Sequence, residues 1–265
     1  MGAGSQPRGG PSPPAPRPIR WRIDVEYDGL AFAGWQVQPD ARTVQGVLEA
    51  AVEQVFQGPA RVHGAGRTDA GVSARQQVAC FDHQVRRPAK AVIHGLNHHL
   101  PDDVAVLAAR EVGEDFHPRH SPHRKVYRYT WLERPARPVL ERGRCWHSRG
   151  PLDAEAMHQA VQALVGTHDM SSFRAAGCSA THPVRTIEEG SVRRDGDRVE
   201  LRLVGTGFLR HQVRIVAGTL HDIGSGRRKP GHLESVLASR DRGLAGRTAP
   251  AEGLLLERID YDEEP

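Results

Sequence analysis

Cysteine is scarce in this 265-residue chain: Cys80, Cys145 and Cys178 stand far apart, with no C-x-x-C spacing. An odd, scattered set speaks against a disulfide framework and against a thiolate zinc site. A reducing cytoplasm is therefore the expected compartment. Long apolar runs are also missing, so no segment has the roughly 20 residues that span a bilayer, and no membrane partner is expected. The opening stretch, MGAGSQPRGGPSPPAPRPIR, lacks the apolar core of a secretory leader. Its proline, glycine and serine content predicts a disordered tail over residues 1–18. The initial Met-Gly does not complete a myristoylation motif, because Ser5 stands one place early.

What is present is ordinary bulk with an uneven charge. Hydrophobic residues at 38% and charged residues at 26% suit a globular protein with a real core, as one large domain or two small ones. The formal charge is +4 and the pI near 9.2. The segment HPRHSPHRKVYR at 117–128 carries Arg119, Arg124, Lys125 and Arg128 with no carboxylate. Arg227, Arg228 and Lys229 form a second cluster, and Arg240, Arg242 and Arg247 a third. A basic cluster can be a solvated face, but three with aromatics nearby point to a phosphate backbone as partner.

Hydrophobic periodicity divides the chain into two similar halves. Ile19, Trp21, Ile23, Val25 and Tyr27 alternate as a half-buried strand does. Thr43 opens an amphipathic helix marked by Val44, Val47, Leu48, Ala51, Val52 and Val55. Strands are expected at 61–66 and 76–82, then a helix with Pro88 in its first turn, then a strand over DDVAVLAAREV. The second half repeats the order. KVYRYTWLE reads as a strand, and Asp153 caps a helix carrying Met157, Val161 and Leu164. Strands at 184–194 and 198–205 follow, then a helix from about 209 with Leu209, Val213, Val216, Leu220 and Ile223 on one face. A short helix at 232–239 and the strand GLLLERIDY end the chain. Two β-α-β-β-α-β halves predict an α+β fold of duplicated ferredoxin-like units with antiparallel sheets, divided as 19–115 and 116–265.

The segment VHGAGRTDAGVSA at 62–74 sets Asp69 two residues after Arg67, among glycines at 64, 66 and 71. Glycine serves where the backbone must turn or come close to a ligand, so side chains here are presented rather than packed. A phosphate cradle does not fit. The dinucleotide fingerprint wants glycine where Asp69 stands, and Gly-Lys-Ser/Thr is absent. An aspartic-protease site would need a second Asp-Ser/Thr-Gly segment. The plain alternative is a tight turn in which Asp69 caps a helix or pairs with Arg67.

GRTDAGV at 66–72 resembles the catalytic segment of the tRNA pseudouridine synthase A family, and further blocks resemble that family in order. They are VEYDG (25–29), AGWQ (33–36), TVQG (43–46), FHPRHSP (116–122), YRYTW (127–131), FLRHQVRIVAGTL (208–220) and AEGLLL (251–256). The resemblance runs from about Trp21 to Tyr261. It implies the pseudouridine synthase fold and isomerisation of uridine in the anticodon stem-loop of tRNA, at positions 38, 39 and 40, by a homodimer. The reaction breaks the C1′–N1 bond, rotates the uracil and rejoins it through C5. It needs no cofactor and no metal, only one ionised carboxylate as nucleophile or base.

By the same resemblance Asp69 is that carboxylate, and Arg214 is the buried cation that offsets its desolvation. Tyr127 stacks on the target base and can share in proton transfer. Leu254 lines the apolar side of the pocket, and Arg67 fills the gap left by the flipped nucleotide. Without the resemblance, Tyr127 and Leu254 would read as strand core and Arg214 as a surface residue of an amphipathic helix. Many relatives carry histidine where Ser73 stands, so a contact made by that imidazole is missing here. His117, His120 and His123 recur every third residue, but Pro118 and Pro122 break a regular helix, so a metal site is not expected. Two rival functions remain at this level. A non-catalytic RNA binder would keep the fold without needing the Asp69 carboxylate. A small-molecule hydrolase would need a second acid beside Asp69, and Asp24, Asp28 and Asp40 are the candidates.

Overall fold

Residues 17–121 and 123–262 are described in the computed structural model of the chain; all but the last two residues of the expected tail lie outside them. Trp21, Ile23, Val25 and Tyr27 put their alternating side chains on the buried face of β1 (Ile19–Tyr27). Thr43 caps α1 (Val44–Phe56), its hydroxyl accepting from the Gly46 amide at 3.3 Å. Phe56 at the end of that helix packs on Trp21 of β1. β2 (His63–Gly64) is shorter than the strand expected over 61–66, whereas β3 (Ser73–His83) is longer than 76–82. α2 (Ala89–His99) follows Pro88, and β4 (Val104–Val112) ends the first half.

The second half comprises β5 (His123–Glu133), β6 (Trp146–Ser148), α3 (Ala154–Val161), β7 (Gly166–Asp169), β8 (Val184–Asp195), β9 (Arg198–Gly205), α4 (Gln212–Gly224), α5 (His232–Ser239) and β10 (Leu254–Tyr261). Asp153 caps α3 through a 2.9 Å bond from the Ala156 amide. β6 and β7 have three and four residues, too few to show an alternating pattern in sequence. α4 begins at Gln212 rather than near 209 because His211 takes a left-handed backbone, φ 60° and ψ 6°, which a helix cannot include.

The strands form one sheet in the order β4-β1-β3-β10-β5-β9-β8-β7, with β2 beside β3 and β6 beside β5. Each half has four principal strands, β1 to β4 in the first and β5, β8, β9 and β10 in the second. In both the spatial order is fourth, first, third, second. The fold is thus α+β with two ferredoxin-like units. Pairing within each half is antiparallel apart from β6 on β5.

The halves meet where β10 pairs parallel with β3, through Leu255 opposite Ser73 and Leu256 opposite Ala74. Two expected sheets are therefore one. On the edge away from β1, β3 serves two neighbours: its start pairs with β10, and Ala79 and Cys80 further along pair with β2. The loop joining β2 to β3, residues 65–72, consequently emerges at the seam between the halves.

Candidate active site

The seam loop is built rather than loose. Ala65 donates to the Val78 carbonyl at 2.9 Å, and the Thr68 carbonyl accepts from the Trp35 amide at 3.1 Å. Buried Gln77 donates to the Gly66 carbonyl, and the Lys125 ammonium to the Ala65 carbonyl, both at 2.9 Å. The Tyr27 hydroxyl meets the Thr68 hydroxyl at 2.8 Å. Of the three glycines singled out by sequence, only Gly71 has a positive φ, 78°. Gly64 and Gly66 serve close approach instead: a Cβ on Gly64 would stand 2.5 Å from the Trp35 ring, and one on Gly66 3.1 Å from the Lys125 nitrogen.

That scaffold offers Asp69 to the second half of the chain. Its Oδ2 lies 3.1 Å from Nη1 of Arg214, which projects from the first turn of α4. The Arg214 guanidinium is itself aimed by a 2.8 Å bond from Nε to the Ala249 carbonyl. The alternative pairing of Asp69 with Arg67 is not what forms. Arg67 is exposed, and among the described residues it has no carboxylate partner. With side-chain exposures of 15% for Arg214 and 25% for Asp69, the pair is shielded yet reachable from outside.

Tyr127 stands on β5 with its ring edge-on to Phe208 at 5.0 Å. Burial first, then the nearby Tyr27 and Asp69, push its hydroxyl well above its ordinary pKa, so it remains a proton donor at neutral pH. Leu254 shares a sheet face with it but lies opposite Tyr129; Leu256 is the residue registered directly across from Tyr127. Ser73 takes a structural part. Its hydroxyl accepts from the Gly29 amide at 2.9 Å and approaches Asp28 at 3.4 Å, tying the VEYDG segment to the start of β3. A cavity of about 650 Å³, lined by Glu26, Arg75, Arg128 and Glu200, lies on the other face of the sheet. Of the expected site residues Leu254 lines it, whereas Asp69, Tyr127, Arg214 and Arg67 do not.

Two further residues, one beside Asp69 and one under the loop, were not singled out from the sequence as site residues. His211 places Nε2 3.4 Å from Asp69 Oδ1. Burial lowers its pKa, Asp69 opposes the shift, and Arg214, Arg210 and Arg242 reinforce it, which favours the neutral ring. Nothing in the chain's periodicity marks this residue, because its position depends on a left-handed backbone. Lys125 did leave a signal: it stands two residues before Tyr127 on an alternating strand, hence on the same face. Its ammonium is buried under the loop, which lowers its pKa to about 8, with Arg119 and Arg185 adding to the shift.

The histidine series resolves differently from its spacing. His117 and His120 lie 4.4 Å apart between ring centroids, but His123 packs on Tyr261. The third ring of the cluster is His63, 5.9 Å from His117. Among the described residues no three His, Cys, Asp or Glu side chains converge as metal ligands would.

Comparison with known proteins agrees along nearly the whole chain. Residues 24–121 and 160–262 match the model of a family described as tRNA pseudouridine synthase. The tRNA pseudouridine synthase A of Myxococcus xanthus is 48% identical over 247 residues, covering 93% of this chain and 93% of that protein. The corresponding protein of Methylobacterium nodulans is 49% identical over 245 residues, 92% of this chain and 96% of its own. That of Acidiphilium cryptum is 46% identical over 250 residues, 93% and 98% respectively.

Proposed function

Because the chain belongs to the tRNA pseudouridine synthase family, and is thus an isomerase acting on tRNA uridine, we propose that it works on the anticodon stem-loop, at positions 38, 39 and 40, with Asp69 as its catalytic carboxylate. The observation that carries this reading is the 3.1 Å pairing of Asp69 with Arg214 across the seam between the halves. A carboxylate held in place by a fixed cation, within reach of solvent, is what an attack on a glycosidic centre or removal of a proton requires.

In this reading the C1′–N1 bond breaks, the uracil turns, and C5 bonds to C1′. The hydrogen on C5 leaves as a proton and N1 gains one, so atoms balance without an oxidant or a transferred group. Arg214 orients Asp69 and faces its charge. Tyr127 stacks on the base and, protonated, can hand over or hold a proton. Arg67, exposed at the mouth of the loop, fills the space left by the flipped nucleotide. Leu254 contributes to the apolar wall. A homodimer suits a substrate larger than one subunit, one protomer holding the RNA body while its partner does the chemistry. The working compartment is the cytoplasm, and among the described residues no helix is long and apolar enough to cross a membrane.

The test is tritium release from tRNA transcript labelled at uridine C5. Wild type releases label, and Asp69→Asn lowers the rate by roughly 10³-fold or more while tRNA affinity stays within about twofold. Tight binding without release by either protein would favour a non-catalytic RNA binder.

A further inference from the structure

Beside the seam loop lies a second, smaller pocket of about 280 Å³. Its wall includes Arg61, His63, Arg67, His117, Arg119 and His120, three guanidiniums and three imidazoles. We propose that this pocket is a subsite for one RNA backbone phosphate flanking the target uridine. The proposal rests on the isomerase reading above and adds to it a site for a particular charge of the substrate.

Cations crowded together without anions form an arrangement that a ligand must complete. Arg61 meets Glu49 at 3.4 Å, but Arg67 and Arg119 have no carboxylate partner among the described residues. Asp82, whose carboxyl Arg20 first and His63 in small part hold below its ordinary range, is bound bidentate by Arg20 at 2.7 and 2.8 Å. The other cations of the 117–128 segment are committed elsewhere. Arg124 pairs with Glu188 and Asp262, Arg128 with Glu200, and Lys125 lies under the loop. Arg119 is the one left to meet a ligand.

The His117 imidazole is presented as a donor. The His117 carbonyl accepts from the amides of His120 and Ser121, closing a turn that brings both rings to one side. Nδ1 of His117 accepts from the Arg119 amide at 3.1 Å, which puts the proton of the neutral ring on Nε2. Burial, then His120, His63, Arg20 and Arg119, lower the His117 pKa, a repulsion that an incoming anion would relieve. Arg67 lines this pocket and stands two residues from Asp69 in the chain. A phosphate bound here therefore belongs to a nucleotide next to the one undergoing reaction. One donor of fixed direction, His117 Nε2, beside two guanidiniums without carboxylate partners distinguishes a subsite from a diffuse basic surface.

The experiment uses a stem-loop RNA in which one phosphate at a time is an uncharged methylphosphonate. With wild type, one linkage flanking the target uridine weakens binding roughly tenfold or more, the size of a charge-assisted contact. In Arg119→Gln, and in the double variant His117→Gln/His120→Gln, binding is weaker to begin with, and neutralising that same linkage costs less than about twofold. Arg119 is exposed, so its variant folds. It raises KM with kcat within about twofold, as lost ground-state binding does. Equal responses of wild type and variants at every linkage would overturn the subsite, as would competition by inorganic phosphate with no linkage effect. Failure of the isomerase reading looks different: no tritium release, whatever the linkage pattern.

Discussion

One guanidinium does two jobs at Arg214: Nε bonds the Ala249 carbonyl and Nη1 faces Asp69. A lysine has one nitrogen and cannot span both, so Arg214→Lys keeps the charge and loses the aim. The expected result is a fall in kcat of roughly 10²-fold with KM little changed, measured by single-turnover tritium release. Full activity would show that charge alone suffices. Lys125 makes a different case. Its folded pKa of about 8 lies below the ordinary 10.5, so between those values the unfolded chain binds more protons and stability rises with pH. Below about 8 the penalty for burying the charge is present in full, on the order of 3 kcal/mol. Against that cost the ammonium holds the Ala65 carbonyl at the root of the seam loop. Burial raises Cys80 to about 11 and Tyr27 to about 12, which costs stability across that window in both proteins. Urea unfolding should therefore show the stability of wild type relative to Lys125→Met rising with pH. Parallel curves would mean that Lys125 is not the group titrating.

α4 carries Arg214, so its seating decides where the cation points. The segment 246–250 runs along it: Gly246 donates to the Thr219 hydroxyl at 2.9 Å, and Ala249 to the Arg214 carbonyl at 3.0 Å. The approach is possible because Gly218 has no side chain; a Cβ there would lie 1.7 Å from the Arg247 carbonyl oxygen. Gly218→Ala must push helix and segment apart by more than an ångström, and a shift of that size can cost roughly 10²-fold in rate. The variant should therefore lose kcat while a thermal melt still shows one cooperative transition. Unchanged turnover would mean that the Arg214–Asp69 geometry tolerates the movement. The apolar face of α4, from Val213 through Leu220, was legible from its spacing, and so were the Thr43 and Asp153 caps. The seating was not. Gly218 falls within the FLRHQVRIVAGTL block, but its contact with Arg247 joins residues 29 positions apart, and no local pattern records such a pair.

At the scale of the whole molecule, the two ferredoxin-like units were readable from the order of elements. Their fusion into one sheet through Ser73 and Leu255 was not, because strand pairing between halves is non-local. The candidate site was readable only as separate residues. Asp69 comes from one unit, Tyr127 and Arg214 from the other, and the seam brings them together. Charge was the quantity that sequence overstated. Arg124, Arg128, Arg227 and Arg240 all pair with carboxylates, Lys125 is buried, Arg242 bonds carbonyls, and Arg247 lies over Trp146. Of the ten cations in the three basic clusters, Arg119, Arg228 and Lys229 keep no such partner among the described residues. Each phosphate neutralised on single-stranded RNA contributes about −0.7 to the slope of log affinity against log salt. With Arg67 added to those three, tRNA binding should fall with a slope of about −3, whereas all ten acting together would give about −7. A titration from low to physiological salt separates these values. The steeper slope would mean that RNA displaces the carboxylates and that the intramolecular pairs open on binding.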